Sequence, residues 1–226
     1  MNLEQQGPKE KRPPGRPKRQ EQDGSTHQYI LKTASGLFME FGYEPVSLQQ
    51  IAKVCGVTKA SIYYHFENKA QLFTAAITAM MEKAQTSSQQ IMHQLDMPLY
   101  DRLVMLAERK LRFPHGDFET ILREAAGSLS KEQLESIRRS EESIHDVLTV
   151  SFTEAIEKGE VRPLHPLLMA HTLASMLMLG NREVSKEFAP APEELAHDII
   201  HMFWNGVGMT HESRAGESSD LPHGIN

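Results

Sequence analysis

The chain has 226 residues, 39% of them hydrophobic, and a formal net charge of -6, enough apolar material for a real core and enough length for one or two domains. No run of about 18 apolar residues occurs and the N-terminus is polar, which argues against a membrane span or secretory leader and for a cytoplasmic protein. A single cysteine, Cys55, excludes an intramolecular disulfide and points to a reducing compartment.

The charge is unevenly divided. Residues 1–75 hold 10 Lys or Arg against 7 Asp or Glu, whereas residues 76–226 hold 14 against 23, an asymmetry that suits a local nucleic-acid footprint followed by a domain with another task. The chain opens with Lys9, Lys11, Arg12, Arg16, Lys18 and Arg19 around Pro13-Pro14-Gly15-Arg16-Pro17. So much proline and charge predicts a disordered basic arm over residues 1–26. Its Gly-Arg-Pro core resembles an AT-hook, in which Arg16 would enter a narrow minor groove. The other reading is a basic tail attracted to phosphate without preference.

The first predicted helix carries Ile30, Ala34, Leu37, Phe38 and Phe41 on one face and ends at Gly42. Ser47 is placed to cap a second helix, from about 48 to 55, whose Leu48, Ile51 and Ala52 make one buried stripe. Gly56 supplies the left-handed exit, Val57 plugs the corner, and Thr58 caps a third helix over about 59 to 66. Two helices joined by so short a glycine turn form the unit that lays its second helix in the DNA major groove. Ile62 and Phe66 turn inward. Lys59, Ala60 and Ser61 lead into the groove, while Tyr63, Tyr64 and His65 present polar tips suited to phosphate. Ser47, Thr58 and Lys69, the last near the start of the next helix, complete the expected DNA-binding set.

The run FGYEPVSLQQIAKVCGVTKASIYYHFENKAQLF, residues 41–73, resembles the N-terminal domain of the TetR family of bacterial transcription regulators. Gly42-Tyr43, Ile51-Ala52, Gly56-Val57, Tyr63, His65-Phe66, Lys69 and Leu72 all stand at the family's spacing. The resemblance covers about 45 residues from Gln28 to Phe73 and implies an all-α protein: a helix-turn-helix domain over 27–73, then a helical ligand-binding and dimerisation domain over 74–208.

Beyond Lys69 only helical patterns occur, without a strand alternation or repeat. Helices are predicted over about 70–95, from Pro98 to a loop at Phe113-Pro114-His115-Gly116, and over about 117–128, 131–158, 164–184 and 193–208. Ser130 and Gly159 punctuate the fourth of these. Residues 209–226 read as a disordered tail. The last two helices carry apolar residues on more than one face, among them Leu167, Leu168, Leu179, Met202, Phe203 and Trp204, and so need more than one partner. By resemblance, the segment of about 164–208 would build a four-helix bundle with a second copy across a two-fold axis. A thick monomer core is the competing reading.

The family resemblance further implies a small-molecule cavity within the helical domain. Met105, Arg109, Phe113, Phe118, His145, Phe152, His171 and Met178 are the candidate lining residues. No glycine-rich phosphate loop, nucleophile motif or paired acidic signature supports catalysis, and no cofactor is implied. His197 and His201 share a helical face, yet nothing nearby completes a metal site, so none is expected. The expected function is a repressor that binds a palindromic double-stranded DNA operator as a homodimer and is released by a small-molecule effector. A transcriptional activator and a ligand-free architectural DNA-binding protein are the alternatives.

Overall fold

Side-chain caps mark the boundaries of the helices between residues 47 and 69. In the computed structural model, which describes residues 19–112, 118–181, 185–188 and 191–208, the Ser47 hydroxyl accepts the Gln50 N–H at 3.1 Å and opens α2 (Leu48–Cys55), after α1 (Arg19–Phe41). Gly56 closes α2 with a φ of 66°, in the left-handed region that favours glycine. Thr58 accepts the Ser61 N–H at 3.1 Å and starts α3 (Lys59–His65). Asn68 caps α4 (Lys69–Met92) by accepting the Gln71 N–H at 2.8 Å, and the Gln71 side chain reaches back to the Glu67 N–H at 2.6 Å.

The regulatory half continues with α5 (Leu99–Leu111), α6 (Phe118–Ala125), a 3-10 turn at Ala126–Ser128, and the long α7 (Lys131–Glu157). Ser130 and Gln133 form a reciprocal capping box at its start. Then come α8 (Pro166–Leu177), a 3-10 turn at Met178–Asn181, α9 (Ser185–Phe188) and α10 (Pro192–Val207). Among the described residues the only extended pairing is an isolated bridge between Val161 and Gly208. The fold is all-α, as the sequence indicates.

Three details depart from the sequence reading. Phe41 is 50% exposed, because the last residue of α1 projects past its packing partners; Leu31 and Met39 are buried instead. The helix expected over 164–184 starts at Pro166, whose fixed φ suits the first helical position, and tightens after Leu177. There Gly180 approaches α5 so closely that a Cβ would lie 2.2 Å from Leu111 Cδ2, so no side chain fits. The short α9 had no sequence signal. Arg16, Phe113 and the 209–226 tail lie outside the described residues.

Two buried clusters organise the molecule. The first joins Phe38, Ile51, Ile62, Leu72, Phe73 and Ile77 of α1 to α4 with Ile121 and Leu122 of α6 and Ile137 of α7. The second joins α5, the end of α7, α8 and α10 around Leu103, Phe152, Leu173 and Ile200. α4 and α7 pack along each other and run through both. At the far end of α4 the buried Arg102 guanidinium donates to the Met92 carbonyl, satisfying one of the helix's unpaired acceptors.

Candidate nucleic-acid interface

α3 is held by its apolar side and offers the rest. Ile62 is fully buried and Phe66, in the extended residue that ends the helix, is 3% exposed. Between them they fix the rotation of the helix on α1 and α2. The opposite arc carries Lys59, Ala60, Tyr63 and Tyr64, all exposed, Tyr64 at 75%. The Lys59 ammonium lies 5.6 Å from the centre of the Tyr63 ring, a loose cation–π contact that leaves its three donors free for an external acceptor. Ser47 and Thr58 sit exposed at the starts of α2 and α3. Their oxygens each accept one backbone N–H, so their hydroxyl protons remain available to a phosphate.

His65 and Lys69 behave differently from the exposed arc. The His65 ring is half-buried and packs edge-on to His27 of α1 at 5.4 Å, with Tyr64 on its other side at 5.0 Å. Lys69 donates to the Glu44 carbonyl at 3.0 Å and lies 4.3 Å over the Tyr43 ring. Partial burial there pulls its ammonium pKa below the ordinary lysine value, with Glu44 acting in the opposite sense. Lys69 therefore ties the start of α4 to the α1–α2 turn.

Glu124 ties the same turn to the regulatory half. Its Oε2 accepts the Tyr43 N–H at 3.2 Å, and Gly42, with φ of 87°, presents the face on which this carboxylate rests. The Tyr43 ring stacks near Phe38 and meets Phe73 edge-on at 5.0 Å. Sequence reading missed Tyr43 and Glu124 as a pair, because 81 positions separate them and no local pattern joins them. Asn68 was legible, since it stands three residues before Gln71 as a cap requires. Cys55 is half-buried, and burial pushes its thiol pKa up, which suits an inert side chain rather than a reactive one.

The candidate ligand-contacting residues are scattered more widely. Phe118 packs into the first cluster beside the DNA-reading unit. Phe152 is fully buried and tilts against Phe203 at 5.7 Å. Met105 and Arg109 line an open groove of about 440 Å³ with Gln90, Gln94 and Arg112, on the outer side of α4 and α5. Met178 sits at the exposed end of α8. His145 and His171 come together, their rings stacked 4.2 Å apart between α7 and α8. His197 approaches Glu108 at 3.7 Å and His201 approaches Asn205 at 3.2 Å, and among the described residues no group of side chains could hold a metal ion. No described helix is long and apolar enough to cross a membrane.

Residues 30–76 match the family model described as bacterial regulatory proteins, tetR family. The chain is 23% identical over 176 residues to the HTH-type transcriptional regulator YhgD of Bacillus subtilis (strain 168), covering 77% of this chain and 92% of that one. A shorter match, 47% identical over 49 residues, covers 22% of this chain and 23% of the HTH-type transcriptional regulator AcrR of Shigella flexneri. The fold superposes with a TM-score of 0.65 and 18% identity on the structure of FadR from Bacillus subtilis in complex with stearoyl-CoA, covering 80% of this chain and 98% of that one. The sequence agreement is therefore densest where the helix-turn-helix lies.

Proposed function

We propose, for a chain that belongs to the tetR family of bacterial regulatory proteins, a repressor that binds a two-fold symmetric operator as a homodimer and is released by a small molecule held in the helical domain. The exposed arc of α3 carries this reading: Lys59, Ala60, Tyr63 and Tyr64 stand out from a helix locked from behind by Ile62 and Phe66. Within reach of a groove, the Lys59 ammonium is a donor for guanine acceptors, the Ala60 methyl can touch thymine, and the two phenols can donate to phosphates. Ser47, Thr58 and Ser61 add short donors on the same side. His65 and Lys69 serve this surface by holding it in place.

Dimerisation is supported by apolar surface that this protomer leaves uncovered. Leu164, Leu167, Leu168 and Leu179 around α8 and Met202 on α10 are all more than a third exposed, Met202 at 69%. A contiguous patch of this kind marks an interface, and a two-fold axis through it would set two α3 helices at matching half-sites. Release by a ligand is supported by the shared core. α6 and α7 contribute Ile121, Leu122 and Ile137 to the cluster beneath α1 to α4, and Glu124 holds the α1–α2 turn. A ligand that shifts α6 or α7 shifts the reading heads. By linkage it must bind the DNA-incompetent arrangement better, and DNA must weaken its binding by the same factor. In the Bacillus subtilis FadR structure the same fold holds stearoyl-CoA.

The test is a footprint on the DNA flanking the protein's own gene, followed by operator titrations with and without any compound that raises the Tm. A symmetric protected site whose affinity falls when the compound is added is the expected result. A bound compound that leaves operator affinity unchanged would overturn the release model.

A further inference from the structure

Lys110 on α5, His145 on α7 and His171 on α8 converge where three helices of the regulatory half meet. The His145 and His171 rings stack at 4.2 Å with an interplanar angle of 28°. His145 Nδ1 is buried and has no hydrogen-bond partner. Lys110 keeps solvent access along its side chain but makes no ion pair or hydrogen bond among the described residues. Protein surrounds its ammonium densely enough that burial pulls its pKa below the ordinary lysine value. A side chain that is both wet and crowded lines a concavity. The same crowding, with His171 and Lys110 as like charges and Asp146 as a weaker opposing one, holds the His145 imidazole below its ordinary value.

Three basic side chains facing one another without a counter-charge is an arrangement that folding alone does not favour, since a crowded ammonium is ordinarily paired. We propose that Lys110, His145 and His171 form the head-group subsite of the effector, and that the effector is an amphiphile carrying a single carboxylate. This rests on the ligand-release reading above and adds the chemistry of the ligand. A carboxylate accepts hydrogen bonds only, and its two oxygens can serve the ammonium and an imidazole N–H together. One lysine charge beside two imidazoles matches one negative charge better than two. The apolar body follows from the neighbours: Leu111 adjoins Lys110, and Leu148 and Phe152 follow His145 by three and seven residues on α7, all in the buried apolar cluster.

The experiment uses the full-length protein and calorimetric titration with sodium laurate, 1-dodecanol, dodecyltrimethylammonium, sodium acetate and inorganic phosphate. Laurate should bind at least about tenfold more tightly than dodecanol or the cationic amphiphile, a margin of one good charged contact. Acetate and phosphate should not bind at the same concentrations, because they lack the apolar body. Lys110→Gln should remove the preference for laurate over dodecanol, while Lys110→Arg, which keeps the charge, should retain it. The operator affinity of both variants without ligand should match the parent protein and shows that they fold. Equal binding of laurate and dodecanol, or a Lys110→Gln variant that still prefers laurate, would overturn the subsite. Tight binding of acetate or phosphate would overturn its amphiphile part. Laurate that binds through Lys110 yet leaves operator affinity unchanged would instead overturn the release model and leave the subsite standing.

Discussion

Lys59 and Tyr63 stand one helical turn apart on α3 and should fail in different ways. Lys59→Ala removes a donor aimed at base edges, so it should cost about 1–3 kcal/mol on the best operator and relax preference at particular base pairs. Tyr63→Ala removes a phosphate contact and should weaken all sequences about equally. A randomised-site selection reads the difference, and an unaltered selectivity profile for Lys59→Ala would remove its base-reading role. His145 makes a prediction about pH. Its imidazole titrates below the ordinary value of 6.5 in the folded protein, so the unfolded chain takes up a proton first as pH falls. Stability is therefore full above about pH 6.5 and declines as the pH drops from there through the folded value. Tm measured from pH 7.5 to 5 should fall more steeply for the parent than for His145→Gln. Parallel curves would show that His145 contributes nothing to the slope.

The helix termini of the DNA-reading unit rest on two glycines in the same backbone region but in different surroundings. Gly42 has φ of 87° and a Cβ there would meet Glu124 Oε2 at 2.9 Å, whereas Gly56 has φ of 66° and open space around it. Gly56→Ala should cost about 1 kcal/mol, the ordinary penalty of a left-handed alanine. Gly42→Ala should cost more, roughly 2 kcal/mol, because the carboxylate that accepts the Tyr43 N–H must also withdraw. Chemical denaturation of the two variants checks the order, and a smaller loss at Gly42 would show that the Glu124 contact is unimportant. The element that carries this contact, α6, is also where the sequence was least informative. Its apolar residues Ile121 and Leu122 predicted a helix correctly, but nothing in their spacing said that they would complete the core of the DNA-reading unit. That is a consequence of chain reversal through α4 and α5.

At the scale of the whole molecule, the uncovered leucines and methionine of α8 and α10 make the strongest demand on a second copy. Leu168→Glu and Met202→Glu place a charge where each side chain is more than 60% exposed in the protomer, so neither should disturb its own fold. In a dimer both positions are buried and the charge is unpaired. Sedimentation should show monomers for the double variant, and its operator affinity should fall by at least about tenfold, because one recognition unit loses the second half-site. A double variant that stays dimeric would place the two-fold axis elsewhere.

Local chemistry was enough for the helix-turn-helix. Ser47, Gly56 and Thr58 act within three or four residues of themselves, through caps and a left-handed turn whose geometry depends on nothing distant, so the start and stop of α2 and the start of α3 could be read from the sequence. The inward turn of Ile62 and Phe66 follows from helical period alone, as does the all-α class. The assignment of Lys69 to phosphate shows where that ends. Its spacing is shared with a DNA contact, but its ammonium is drawn by the Glu44 carbonyl and the Tyr43 ring, which only the folded turn brings within reach. The same holds for Glu124 against Tyr43 and for Lys110, His145 and His171, residues 35 and 26 positions apart along the chain. Pairings of this kind depend on how α4 and α7 cross the molecule, and helical periodicity says which face a residue occupies without saying what will meet it.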